Sequence, residues 1–329
     1  MTVVTGATGF VGSVLVRQLL EAGEAVRVLR RPMSNLDLLG DAAAHVEHVL
    51  GDVTDPEAVA RAVAGAETVY HVAGVVAFGR RARARLRAVN VDGTAAVVNA
   101  ALAAGVGRLV HTSSIAALGR PVRPDGTGAA AVLDEAAVWT RSPLNTAYAL
   151  SKRDAEREVW RGVAEGLDAV VASPALVFGP GRTGEGTTAV AERLAAGRLP
   201  LAPPGATAVV DVEDVAAGLR AACARGATGE RYLLAAENLA WTEILATLAD
   251  ALGVPTPTRI APPWLLTAGG ALGEAWAAVT GSQSGLTRET ARQAAATVRY
   301  DGSRAERELG VVYRPFAETA RRIARALAV

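Results

Sequence analysis

Thr5-Gly6-Ala7-Thr8-Gly9-Phe10-Val11-Gly12 is the stretch on which the reading of this chain turns. It follows the β-branched run Val3-Val4 and opens a segment, Val11 to Ala22, that has Leu15, Leu19 and Leu20 at helical spacing. Glycines three residues apart, between a strand and a helix, permit a tight turn and let backbone approach a large anion. The helix start adds free N–H groups and the positive end of a dipole, which suits a pyrophosphate. Gly6, Thr8, Gly9, Phe10, Val11 and Gly12 are therefore the candidate cradle of a dinucleotide. The spacing is G-x-x-G-x-x-G, not G-x-G-x-x-G.

Outward from the cradle, short β-rich runs alternate with helical patterns over the first 175 residues. Ala25 to Leu29, Val46 to Leu50, Thr68 to Val72, Arg108 to Thr112 and Ala169 to Ser173 read as strands. Arg83 to Ala104 and Ala147 to Ala164 read as long helices between them. Continuously apolar strands, as at Leu109-Val110, are those of a parallel sheet covered on both faces. The pattern predicts an α/β fold: a doubly wound parallel (Rossmann) sheet over residues 1–174, then a smaller, mainly helical substrate domain over 175–329. Within the latter, 208–235 is expected to pack back on the sheet. Gly119 to Ala131, rich in Gly, Pro and Ala, reads as a mobile loop.

The end of the second strand sets cofactor choice. An acid there would receive a ribose 2′-hydroxyl. Here Arg30, Arg31 and Ser34 stand at that point, and two guanidiniums suit a 2′-phosphate, so NADP is expected, with NAD the alternative. Asp52, at the end of the third strand, has two readings: acceptor for an adenine amino group, with Val53 beside it, or a plain turn aspartate.

Tyr148 and Lys152 are four apart on a predicted helix and share its face. An ammonium near a phenol favours phenolate and pulls its pKa down, making Tyr148 a proton donor for a carbonyl oxygen. Thr112-Ser113-Ser114 ends a predicted strand, where a hydroxyl can hold that same oxygen. Ser114 is the choice, Ser113 the alternative; Thr112 is placed beside the cofactor.

With these motifs in order, the chain resembles an extended short-chain dehydrogenase/reductase of the epimerase/dehydratase type, and within it the dihydroflavonol 4-reductase-like branch. His71-Val72-Ala73-Gly74, Asn90-Val91-Asp92-Gly93-Thr94, Ser173-Pro174 and Gly179-Pro180-Gly181 extend the resemblance over nearly the whole chain. It implies a Ser114–Tyr148–Lys152 triad, with Lys152 also on the nicotinamide ribose. It places Ala73 and Gly74 along the cofactor, and Pro174 and Val177 at the carboxamide. It has Asn90 support the strand bearing the serine, and the Arg83 and Ala147 helices form a four-helix homodimer interface.

Departures from the family narrow the chemistry. Dehydratases carry acids where this chain has Ile115-Ala116, so elimination of water lacks its acid and base. Nucleotide-sugar epimerases carry more basic residues than Arg182 and Ala206-Thr207-Ala208 provide. Val75, Val76, Ala77 and Phe78, with Ile115, Trp139, Phe178 and the Pro262–Gly281 stretch, read either as an apolar substrate pocket or as core. The expected activity is NADP-dependent hydride transfer to an apolar ketone or aldehyde, as a carbonyl reductase or alcohol dehydrogenase. The alternatives are a sugar epimerase with tightly bound NAD and a non-catalytic dinucleotide sensor.

Bulk properties agree. The chain has 329 residues, half of them hydrophobic and 20% charged, as in a globular protein. Its net charge of +1 implies no nucleic-acid partner. The single cysteine, Cys223, forms no internal disulfide and reads as a small buried helix residue. His45 and His48 lack further ligands, so no metal site is expected. The first charged residue is Arg17, so no basic leader is visible and a cytoplasmic enzyme is expected. Pro262–Gly281 holds one charge, Glu274, and is long enough to span a bilayer, but its prolines and glycines favour a buried or pocket-lining helix over membrane contact. The run from Arg80 to Arg87 reads as a solvated helix start or as a grip for an anionic tail.

Overall fold

The computed structural model describes residues 1–120, 132–280 and 287–328, and for residues 80, 263 and 274–280 the backbone only. The chain opens with β1 (Thr2–Thr5), α1 (Phe10–Glu21), β2 (Val26–Arg30), β3 (Glu47–Leu50), α2 (Pro56–Val63) and β4 (Thr68–His71). Next come α3 (Arg83–Leu86), α4 (Gly93–Ala104) and β5 (Arg108–Thr112). The predicted helix over Arg83–Ala104 is thus not uniform: a π-helical turn, Arg87–Asp92, joins α3 to α4. The second half runs β6 (Val132–Leu133), α5 (Ala147–Ala164), β7 (Ala169–Pro174), β8 (Leu176–Phe178) and α6 (Thr188–Ala195). It continues with β9 (Leu201–Ala202), β10 (Ala206–Asp211), α7 (Val212–Arg225), β11 (Arg231–Leu234), β12 (Glu237–Ala240) and α8 (Trp241–Leu252). It closes with β13 (Arg259–Ile260), α9 (Pro263–Thr280), α10 (Arg288–Ala295), β14 (Arg299–Tyr300), α11 (Ser303–Leu309) and α12 (Phe316–Leu327). Most of the stretch read as a mobile loop, from residue 121 to 131, lies outside the described residues.

Seven strands form one sheet in the order β11-β7-β5-β4-β1-β2-β3, with every pairing parallel. The order reverses between β1 and β4, where Thr5 pairs with His71. In such sheets the crevice beyond the strands' carboxyl ends at this switch point is where ligands bind. Successive residues face opposite layers. Val4, Val28, Val110 and Val170 meet α1 and α7, while Val3, Leu29, Leu109 and Val171 meet α2, α4 and α5. This double burial explains why the strands read as continuous apolar runs.

Local chemistry sets the helix starts. Asp55 accepts from Glu57 N and Ala58 N ahead of α2, and Thr146 accepts from Ala149 N ahead of α5. Cys223, in α7, is half-buried.

The later residues add to the main sheet and also build a second layer. β11 extends the large sheet beside β7, whereas β10 lies between β8 and β12 in a separate three-stranded sheet. Around that small sheet α6, α8 and α12 enclose their own core, which includes Phe178, Val209, Ile244, Leu248 and Phe316. Asp211 ties it to the start of α7: it accepts from Glu213 N and pairs with Arg322 at 2.8 Å through both carboxylate oxygens.

Candidate active site

Three elements bring the cradle to the switch point. Gly6 adopts φ +72°, and a Cβ there would lie 2.5 Å from Ala73 N, so β1 and the loop after β4 meet backbone to backbone. A Cβ on Gly12 would run into the Gly6 carbonyl. α1 begins after Gly9 with no side-chain cap and no acid in its first turn. Its leading N–H groups and dipole are therefore free to take a phosphate. The glycines without Cβ space and the uncapped helix start fit a dinucleotide pyrophosphate. Thr8 and Val11 are half-buried at the same turn, and the Phe10 ring packs on Gly179 and Gly181.

The strand ends below the cradle are linked by buried hydrogen bonds. Thr5 Oγ1 is 2.7 Å from His71 Nδ1, and His71 Nε2 is 2.9 Å from Thr94 Oγ1. Ala73 N donates to Thr5 Oγ1. Burial pushes His71 down to about 3, so it stays neutral. His111 lies 5.2 Å from it, centroid to centroid, and burial also lowers its pKa. Neither histidine is set up for proton transfer at working pH.

Tyr148 and Lys152 project from one face of α5, as their spacing predicts, and Ser114 follows the end of β5. Lys152 is buried, and its Nζ donates to the Thr112 carbonyl at 2.9 Å. A Cβ on Gly74 would be 3.2 Å from that Nζ, so the ammonium lies directly against the loop after β4. Burial lowers the Lys152 pKa from 10.5 to about 8, and the Glu156 carboxylate acts in the opposite direction. Burial also raises Tyr148, and a hydrogen bond with Ser114 opposes it. The expected downward pull was from Lys152. In the structure Lys152 is turned to the Thr112 carbonyl, and the pull on Tyr148 comes from Ser114.

Asn90 requires a correction. The resemblance had it support the strand bearing the serine. Its Oδ1 instead accepts from Val75 N at 2.8 Å, and its Nδ2 donates to Val75 O and to Ser151 Oγ. It clamps the loop after β4 to α5, because the π-helical turn points it across the cleft floor. The apolar candidates divide. Phe78 lies edge-on to Tyr148, with centroids 6.3 Å apart, and Val75 is half-buried beside it. Ile115 and Phe178 are core. Ile115 packs with the cluster around α1 and α7, and Phe178 meets Phe316 edge-on at 5.0 Å inside the small layer. Strand alternation turns Phe178 inward while its neighbour Val177 is half-buried and accepts from Thr187 Oγ1 through its carbonyl. Pro174, buried, ends β7.

The adenosine end is open by comparison. Arg30 Nε donates to His48 Nδ1 at 2.9 Å, and its Nη1 reaches the Arg31 and Pro32 carbonyls. Arg31 is exposed, with Nε 4.0 Å from Asp52 Oδ2, and Ser34 N donates to its carbonyl. Asp52 Oδ1 accepts from Thr54 N and Oγ1, which is the turn arrangement. Val53 is buried against Gly93.

One residue escaped the sequence reading. Glu156, one turn beyond Lys152, is buried, pairs with Arg231 of β11 and accepts from Ser173 Oγ at 3.4 Å. Its signal was the four-residue step Tyr148, Lys152, Glu156. Arg182 is held by Glu185 at 3.2 Å and donates to Thr8 O, which lays the loop after Gly181 across the cradle. No group of His, Cys, Asp or Glu suited to a metal occurs among the described residues.

Such a sheet, cradle and tyrosine–lysine pair define a dinucleotide-dependent enzyme. The chain belongs to the NAD dependent epimerase/dehydratase family, whose model matches residues 2–235. It is 35% identical over 94% of its length to a Synechocystis sp. relative that carries a dihydroflavonol 4-reductase name, 89% of which is covered. It is also 35% identical, over 85% of its length and 80% of the other chain, to a ceramide reductase of Caulobacter vibrioides. Among solved structures, that of gox2253 superposes with a TM-score of 0.82 at 31% identity, covering 100% of this chain and 98% of the other.

Proposed function

We propose that the protein is an NADP-dependent carbonyl reductase or alcohol dehydrogenase acting on an apolar ketone or aldehyde. The observation that carries this reading is Tyr148, one helical turn from Lys152, edge-on to Phe78 and with its phenol pulled down by Ser114 against burial, with Ile115-Ala116 next in sequence after Ser114 where a dehydratase would need acids. When bound, the dinucleotide supplies hydride. The chain does the rest. Burial keeps the Tyr148 hydroxyl protonated, so it can give its proton to a carbonyl oxygen that Ser114 holds. Lys152, cationic below about 8, places positive charge beside Gly74 and Thr112, and would hold the nicotinamide ribose there. Arg30, Arg31 and Ser34 would receive the 2′-phosphate. Gly6, Thr8, Gly9, Phe10, Val11 and Gly12 would hold the pyrophosphate, with Asp52, Val53, Ala73, Gly74, Thr112, Pro174 and Val177 along its length.

A nucleotide-sugar epimerase would use the same three residues. Against it, Arg182 is engaged by Glu185 and Thr8, and Ala206-Thr207-Ala208 offers no basic side chain to a diphosphate. The similarity to a ceramide reductase favours a long-chain, lipid-like carbonyl compound. The test is a panel of ketones, aldehydes and UDP- or GDP-sugars with NADPH and NADH, followed by absorbance loss. NADPH-dependent reduction of apolar ketones is expected. Turnover of a nucleotide sugar without added cofactor, by protein purified with NAD bound, would overturn the proposal.

A further inference from the structure

α9 does not sit as the buried helix that its composition suggests. Its Gly270 packs against the backbone of Thr287 and Arg288 at the start of α10, where a Cβ would lie 2.7 Å away, while Trp264 and Leu272 stay exposed. No helix among the described residues is long and apolar enough to cross a membrane. α10 makes a different connection. Its Glu289 Oε2 accepts from Gly79 N, in the loop after β4, at 3.1 Å and across 210 residues of chain.

The frame behind this carboxylate is firm. Glu289 lies in the first turn of α10, where the helix dipole favours an acid, next to the cap formed by Thr287, whose hydroxyl accepts from Thr290 N. The far end of α10 is tied to the strand β10: Gly205 N donates to Ala294 O at 3.0 Å, and Ala206 N to Ala296 O at 3.1 Å. Glu289 therefore projects from the small layer towards the sheet.

The loop that it grips has few other ties. Asn90 holds Val75 through both its N–H and its carbonyl. From residue 76 to 79, the bond to Glu289 is the only hydrogen bond to a distant element among the described residues. Gly79 adopts φ +88° with open space where a Cβ would stand, so glycine serves the turn there and not close packing. Phe78, between the two clamps, is the ring that lies edge-on to Tyr148. A backbone N–H bonded to a carboxylate is charge-assisted and roughly twice as strong as a neutral pair, so one such bond can decide where this stretch lies.

From this arrangement we infer that Glu289 is a positioning residue of the substrate pocket: by holding Gly79 it keeps the Phe78 ring against Tyr148. It thereby sets the apolar wall met by the group beside the reacting carbonyl. The inference rests on the carbonyl-reductase reading above and deepens it. A substrate whose oxygen meets the Tyr148 hydroxyl has its neighbouring carbons within reach of Phe78. With the wall fixed, a bulky apolar substituent packs on the ring; with Gly79 released, the ring is free to turn away and that contact is lost. The small layer then governs which apolar substituents are accepted, while the sheet and α5 govern the chemistry.

The experiment compares Glu289→Ala, Glu289→Gln, Phe78→Ala and the double variant Phe78→Ala/Glu289→Ala on a bulky apolar ketone and on a small water-soluble one. Glu289→Ala should raise KM for the bulky ketone about tenfold, with a much smaller change in kcat, and alter KM for the small ketone less than about threefold. Glu289→Gln keeps an acceptor oxygen and should recover most of the loss. On top of Phe78→Ala, removing Glu289 should cost nothing further, because its effect runs through that ring. Amide exchange read by mass spectrometry should be faster over residues 76–79 in Glu289→Ala than in wild type. An unchanged KM for the bulky ketone, a Glu289→Gln enzyme as impaired as Glu289→Ala, or effects of Phe78→Ala and Glu289→Ala that simply add would overturn the inference. Wild-type protein that reduces no ketone would overturn the proposed function instead. Loop exchange still reads the Glu289 clamp in that case, and exchange unchanged by Glu289→Ala would sink the inference too.

Discussion

The two ends of the cofactor crevice are built differently. At the Tyr148 end every anchoring group is enclosed: Lys152 on the Thr112 carbonyl, Asn90 on Val75 and Ser151, Glu156 on Arg231. The Arg30 end is looser: Arg30 holds His48 at 2.9 Å, but Arg31 is exposed and stands 4.0 Å from Asp52. Buried polar groups hold their geometry because an unmade bond there is expensive, whereas exposed guanidiniums exchange protein for water at little cost. On the proposed reading the chemistry is pre-set by the fold, and the choice between the two dinucleotides would rest on side chains that can be replaced without disturbing it.

The largest test of this contrast is Tyr148→Phe. It should lower kcat by about a hundredfold or more while cofactor affinity stays nearly intact, measured by steady-state rates and cofactor titration. Near-normal turnover would remove Tyr148 from the chemistry. Next comes Glu156→Gln, which leaves Arg231 without its buried partner and should destabilise by about 3 kcal/mol in a denaturant titration. The same change has a pH signature. The Glu156 charge holds the Lys152 pKa up against burial, so its loss should move the alkaline limb of kcat/KM, centred near 8, to lower pH. A merely structural Glu156 would lower stability and leave that limb in place. Smallest is Arg30→Ala/Arg31→Ala, which should weaken NADPH by about 2 kcal/mol and NADH much less, with the melting temperature barely changed. Equal losses for both dinucleotides would mean that the open end does not discriminate.

Much of the fold was legible because its signals are local. The boundaries of β5 and α5 follow directly from an apolar run and from Thr146 ahead of a helical pattern. The meeting of Ser114, Tyr148 and the cradle follows from sheet order, which alternation of strand and helix dictates. What stayed hidden depends on partners distant in sequence. Nothing near Glu156 announces Arg231, and nothing near Ile115 or Phe178 tells core from cleft. For α9, composition alone suggested burial. Only packing through Gly270 decides which face is covered, and it leaves Trp264 and Leu272 outside.

The π-helical turn at Arg87–Asp92 winds one residue wider than an α turn. It therefore puts α3 and α4 out of phase. Val97, Val98 and Ala101 keep their places on the sheet while Asn90 faces the loop after β4. Loss of one codon within this turn would restore a continuous winding and swing the amide away, with the core of α4 untouched. The fold thus carries a point at which a single-residue length change can loosen or reset the cleft floor in one evolutionary step.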